Sequence, residues 1–267
     1  MREVILQKIE NLNSLEEKIN KTREYLQTLL LKILFDKDLF NTMAFVGGTA
    51  LRILYGIRRY SEDLDFCLIQ KKGYNFNLIL QNIVADLKKY GFLVQAVPKE
   101  TKTVHSSMIK FPGLMKELSL SPMRNENLSI KLEIDMNPPQ GWKTAVSGIT
   151  EPYLFTIKHF DVPSLFATKI HACFFRSYVK GRDFYDLVWY LGKKTVPNFE
   201  LLNNAITQTS GKELKISNQN LKDFLAENIK KIDLKKAQKD VERFLEDKNE
   251  LKLINQETLL QLLDSCF

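Results

Sequence analysis

The sequence predicts an α+β protein: a mixed sheet with flanking helices, followed by a helical C-terminal domain. Two observations predict it. Alternating apolar runs cluster between residues 92 and 136, whereas apolar residues at helical spacing dominate before residue 40 and after Pro163. The 267 residues suffice for one large domain or two modest ones. The change of character places the boundary near residue 160, giving a core over residues 1–160 with N-terminal helices and a helical domain over 161–267.

Taken in order, Ile5, Ile9, Leu12, Ile19, Leu26, Leu30, Ile33 and Leu34 recur at helical spacing, with Asn13 or Ser14 as the cap of a second helix start. A glycine pair, Gly47 and Gly48, then leads into a short helical pattern through Ala50, Leu51, Ile53 and Leu54, and DLDFCLI follows as a strand. Residues 75–90 return to helix and stop at Gly91. FLVQAV, TVHSSMIKF and LSIKLEIDM have strand character, and SPMRNEN and NPPQG are turns. One more strand is expected within 150–160. Ser164 is expected to cap a helix over SLFATKIHACFFR, and a second helix, GRDFYDLVWYLG, closes at Gly192. The remainder carries two apolar stripes: Leu221, Phe224, Leu225, Ile229 and Ile232, then Val241, Phe244 and Leu245.

Composition excludes several classes. Apolar residues make up 44% of the chain, enough for a packed core and too many for a disordered protein. The net charge of +7 suits a protein that meets polyanions such as nucleic acid or nucleotides. Cys67, Cys173 and Cys266 are far apart and odd in number, as are His105, His159 and His171, which argues against a disulfide framework and a zinc site. No apolar run reaches membrane-spanning length and the N-terminus lacks a signal-peptide core, so a cytoplasmic protein without a membrane partner is expected.

Asp63 and Asp65 flank Leu64 in an alternating run. On a strand, residues two apart point the same way, so both carboxylates project from one face and Leu64 and Phe66 from the other. Carboxylates held that close repel each other, and a hard divalent cation between them relieves the repulsion. About fifteen residues earlier, Gly47, Gly48 and Thr49 open a helix, where glycines let backbone approach a ligand and free N–H groups bind phosphate. Ser61 adds a hydroxyl, and Arg58 and Arg59 add positive charge. No Lys follows the glycines, so the segment is not a Walker A loop. Farther on, Lys131, Glu133 and Asp135 share one strand face. That face supplies a third acid for a metal site, either Glu133 or Asp135, and a cation to offset phosphate charge. On the helices, Lys169 and Arg176 share a face, as do Asp183 and Asp186, and an Arg182–Asp186 ion pair is the plain structural alternative. Tyr185 and Trp189 are expected to pack in the core.

These segments in order, FVGGTALRILYG, RRYSEDLDF, IKLEID and LFATKIHA with KGRDFYDLVWYL, resemble the AbiEii/AbiGii toxin nucleotidyltransferases of the DNA polymerase β-like superfamily. The resemblance implies nucleotide-binding roles for Gly47, Gly48, Thr49 and Ser61, metal binding by Asp63 and Asp65, and further site residues at Lys131, Glu133, Lys169, Asp183 and Asp186. It implies a polymerase β-like core whose helical domain contributes to the active-site cleft. It also implies Mg²⁺, with Mn²⁺ as the alternative, an NTP donor, an acceptor hydroxyl on RNA (including the tRNA 3′ end) or protein, and a neighbouring antitoxin as partner. The chain departs from the family pattern in having Gly-Gly-Thr and a Glu at the second acidic motif. Two other readings remain open at this point: a decayed RNA- or partner-binding module, and a glycosyltransferase, which also uses paired acids.

Overall fold

The computed structural model describes residues 1–123 and 126–267, so two residues of the turn expected over 121–127 lie outside the described residues. The chain divides into two compact units. One comprises Met1–Leu54, Tyr60–Asn137 and Val146–His159; the other comprises Tyr55–Arg59, Pro138–Ala145 and Phe160–Phe267.

The first unit begins with α1 (Arg2–Ile9) and α2 (Leu15–Asp36). Of the two cap candidates, Ser14 does the work: its Oγ accepts the Glu17 N–H at 3.0 Å. Then come β1 (Met43–Val46), α3 (Gly47–Tyr55), β2 (Leu64–Leu68), α4 (Phe76–Lys89), β3 (Pro98–Glu100), β4 (Val104–Phe111), the short α5 (Leu114–Glu117), β5 (Leu128–Asp135), β6 (Thr144–Ile149) and β7 (Phe155–Phe160). The strands form one mixed seven-stranded sheet in the order β3-β4-β5-β2-β1-β7-β6.

Its centre positions the site. β2 lies antiparallel to β1 and parallel to β5, and β5 lies antiparallel to β4. Along β5 the burial alternates: Leu128, Ile130, Leu132 and Ile134 are buried among α2 and α4 side chains such as Leu26, Leu30, Ile33, Ile79 and Ile83. The period of two therefore turns Ser129, Lys131, Glu133 and Asp135 to the opposite face. Removing one of these buried leucines, Leu132→Ala for example, would cost about 2–5 kcal/mol.

One expected strand was displaced, and two strands were not anticipated. Among the described residues FLVQAV makes one isolated bridge, Gln95 to Lys110, and the strand forms later, at 98–100. β1 has all four residues buried and so lacks the alternation that marks a half-buried strand. β6 is an edge strand containing Gly148, which weakens its signal.

The second unit is largely helical: α6 (Val162–Phe175), α7 (Gly181–Gly192), α8 (Phe199–Ser210), α9 (Leu221–Ile229), α10 (Leu234–Val241) and α11 (Gln256–Cys266). The cap of α6 is Asp161, not Ser164. Asp161 accepts the Ser164 N–H at 2.9 Å and leaves Pro163 in the first turn, where its missing N–H is harmless. Ser164 Oγ instead accepts the Lys143 N–H at 3.0 Å. Leu221, Leu225 and Ile229 are buried, as are Val241, Phe244 and Leu245. Gly181 starts α7 against α10 so closely that a Cβ there would lie 1.9 Å from the Ala237 carbonyl oxygen. Among the described residues, no helix is long and apolar enough to cross a membrane.

Candidate active site

β2 begins at Leu64, which is fully buried, as Phe66 nearly is, while Asp65 stays half-buried on the other face. Asp63, also half-buried, lies one residue before the ladder. The parallel register sets Asp65 beside Glu133 and Cys67 beside Asp135, while β4 sets Ser106 across from Glu133. Of the two candidate third acids, Glu133 is thus the neighbour of Asp65, and Asp135 is one pleat farther along.

Lys131 belongs to the same face. Its Nζ lies 2.6 Å from Glu133 Oε2. Partial burial works to lower its pKa, but the hydrogen bond and charge of Glu133, followed by the charges of Asp63 and Asp65, hold it above the ordinary lysine value. Lys131 is therefore a firm cation at neutral pH and senses all three acids. Burial raises the Asp135 carboxyl above the usual aspartate range, although the Asn137 N–H, 2.9 Å from Oδ1, favours its charged form. Burial likewise pushes the Cys67 thiol well up, helped by Asp135 and Asp65, so it is an inert packing group.

The glycine turn meets Asp65 directly. Gly47 has a φ of +78°, and a Cβ there would lie 2.5 Å from Asp65 Oδ2. Only glycine allows both the left-handed backbone and this approach. α3 starts at this residue, so its unpaired N–H groups begin beside the carboxylate-bearing strand. Thr49 is fully buried, and its hydroxyl donates to the Asp63 carbonyl, so it braces the acid segment from within. The Ser61 carbonyl accepts from Gln27 Nε2 at 3.1 Å. Sequence reading missed Gln27, because a polar residue inside an otherwise apolar helix face carries no label for its distant partner.

The helical unit holds the other predicted residues in a buried ion cluster. Arg59 grips Asp186 with two hydrogen bonds of 2.6 Å, from Nε to Oδ1 and from Nη2 to Oδ2. Lys169 Nζ lies 2.6 Å from Asp183 Oδ1 and 2.7 Å from Asp186 Oδ2, and Arg176 lies 2.9 Å from Asp183 Oδ2. Desolvation opposes the charges of Arg59, Lys169 and Asp183. The two aspartates nevertheless raise the Lys169 pKa against it, and Lys169 and Arg176 lower that of Asp183. Asp186 is thus held by Arg59 and Lys169, and Arg182 stacks over the Phe244 ring. The positive charge expected of Arg59 near the acid pair is consumed in this pairing. Arg58 pairs with Glu250 at 3.0 Å. Tyr185 donates to that same Glu250, and Trp189 packs on Tyr55 and Tyr190.

The donor set can be tested against a divalent cation. Asp63 and Asp65 offer hard carboxylate oxygens, which suit Mg²⁺ or Mn²⁺, and Lys131 senses both charges. The four acids proposed from sequence are not gathered as one cage: among the described residues, no three His, Cys, Asp or Glu side chains are grouped to hold a metal. Two such carboxylates would be a partial ligand set, which Mg²⁺ completes with water and substrate phosphate oxygens.

Comparison with known proteins agrees with this architecture. The model of the family described as nucleotidyl transferase AbiEii toxin, type IV TA system, matches residues 28–263. Two solved structures share the fold: JHP933 from Helicobacter pylori (21% identity, 92% of this chain and 91% of that one, TM-score 0.53) and an H. pylori protein described as a candidate nucleotidyltransferase (22%, 91% of each chain, TM-score 0.53). No curated protein matches the chain. With most of its length matched by that family model, the chain belongs to the AbiEii nucleotidyltransferase toxin family and is a nucleotidyltransferase.

Proposed function

We infer that the protein moves a nucleoside monophosphate from an NTP to an acceptor hydroxyl, with RNA 3′ ends, tRNA among them, as the acceptor class favoured by the net charge of +7. The observation that carries this reading is Asp65, pressed against the Gly47 turn at the start of α3 and set beside Glu133 in the sheet. Phosphates fit a helix start bordered by glycine, and carboxylates fit the cation that accompanies them. A divalent cation bound by Asp63 and Asp65 would offset phosphate charge. Gly47, Gly48 and Ser61 would contact the phosphates, with Thr49 holding Asp63 from behind. As the acceptor oxygen bonds to the α-phosphorus, the bond to the β-phosphate oxygen breaks and pyrophosphate leaves with the electron pair. The acceptor proton passes to Asp65 or Glu133, and Lys131 faces the negative charge that develops. Lys169, Asp183 and Asp186 neutralise one another, so we assign them to support of α6 and α7. The toxin would be answered in the cell by an antitoxin partner.

The test incubates the protein with each labelled NTP, Mg²⁺ and total cellular RNA. The expected result is chelator-sensitive label in RNA, falling at least about 10³-fold in Asp65→Asn without loss of thermal stability. Label in the protein itself would move the acceptor to a protein hydroxyl. No label from any NTP, or an Asp65→Asn variant as active as the parent, would overturn the reading.

A further inference from the structure

Residues 60–63 belong to no strand or helix, yet they present Asp63 and lead directly into Asp65. A segment without a ladder must find its hydrogen bonds elsewhere, because a buried carbonyl left alone is costly. Here side chains supply them. Gln27, almost fully buried in the middle of α2, donates to the Ser61 carbonyl at 3.1 Å, and Thr49 donates to the Asp63 carbonyl. These are the carbonyls of residues two apart in one stretch of chain. α2 reaches the segment twice more: Arg23 lies 3.9 Å from Glu62, and Lys21 stands over the Tyr60 ring. Arg52 of α3 covers that ring at 4.8 Å and bonds Glu24 of α2 at 2.6 Å. Arg23 and Gln27 are four apart and share a face of α2, and Asn20 accepts from Arg23 at 3.0 Å, so one stripe of the helix serves this segment.

We propose that Gln27 is a positioning residue for nucleotidyl transfer: its amide replaces a missing strand partner and fixes the segment from which Asp63 projects. Two carboxylates that repel each other would otherwise drive an unladdered segment outward. This rests on the reading of Asp63 and Asp65 as cation ligands. The residue type matters, because glutamate at position 27 loses the donor that the Ser61 carbonyl needs, whereas protonated glutamic acid regains one.

The variants are Gln27→Leu, which keeps bulk, and Gln27→Glu, which keeps shape. Hydrogen exchange of the 60–64 amides is measured first. Faster exchange there, with the rest of the sheet unchanged, is expected for Gln27→Leu. Mn²⁺ binding, followed by its electron paramagnetic resonance signal without nucleotide, should weaken roughly tenfold. Transfer should lose kcat with little change in KM at saturating cation, and Gln27→Glu should regain activity relative to the parent as pH falls. Unchanged exchange at 60–64 would overturn the positioning role even if transfer and Mn²⁺ binding stand in the parent. Faster exchange with parental Mn²⁺ affinity and kcat would also overturn it, leaving Gln27 a purely structural contact. A parent that binds no Mn²⁺ and tolerates Asp63→Ala would instead remove the underlying reading. Loss of folding in Gln27→Leu leaves Gln27→Glu, read by the same exchange and pH profile, to decide.

Discussion

The two units use the same residue types to opposite ends. In the sheet unit, Asp63, Asp65 and Glu133 stay half-buried, the braces from Gln27 and Thr49 go to the backbone, and Glu133 pairs with the partly exposed Lys131. In the helical unit, Asp183 and Asp186 are buried and their oxygens are taken by Arg59, Lys169 and Arg176. The difference teaches how to separate a site from a scaffold when both are built of acids and lysines. A fully buried acid whose charge is matched by buried cations supports structure; a half-buried acid on a backbone-braced segment is the candidate for chemistry.

Breaking one partner in each unit should expose that contrast. Asp186→Ala strands a buried guanidinium and is expected to cost about 3–5 kcal/mol in denaturant unfolding. Replacing both partners, Arg59→Met with Asp186→Leu, should cost far less, because an apolar pair leaves no buried charge alone. Asp65→Asn, by contrast, should leave stability nearly unchanged while transfer is lost. If Asp65→Asn unfolds the protein as readily as Asp186→Ala, the distinction collapses.

A smaller effect is expected at the turn. Gly47→Ala forces a Cβ into a left-handed residue, for about 1–2 kcal/mol, and toward Asp65 Oδ2. Activity should therefore fall more than stability does, as measured by kcat beside the melting temperature.

The acid limb of the stability profile gives the smallest signal. Lys169 and Arg176 outweigh burial and hold the Asp183 pKa below its ordinary 3.8. The unfolded chain therefore takes up the proton first, and the stability Asp183 contributes, complete above that value, is lost as pH falls through it toward the lower native pKa. Asp135 has the opposite sign: burial raises its native pKa, so it opposes folding once pH rises past the ordinary value. Asp183→Asn should flatten the acid limb and Asp135→Asn should not.

Much of the fold was legible in particular residues. The Ser14 cap with Glu17, the Gly91 stop, and the strict alternation of LSIKLEID are local signals, and each matches an observed boundary or face. β1 was not legible, because a strand buried on both faces has no alternation to read. In the candidate site, the approach of the glycine turn to Asp65 was readable from spacing, whereas Asp63, expected on the strand, lies one residue before it. Arg59 was legible only as a charge, since nothing in RRYSEDLDF tells which of two adjacent arginines is buried or that its partner lies 127 residues away.

The sequence by itself determined the periodicities, the Ser14 cap and the Gly91 break, and hence the character of most segments and the family, because these depend on neighbours within a few residues. Only the tertiary structure decided that Glu133 rather than Asp135 stands beside Asp65, and that Lys169 lies between two carboxylates. It alone showed that Gln27 braces the acid segment. Register, burial and the matching of distant charges arise only when strands and helices far apart in the chain pack together, and no local spacing encodes them.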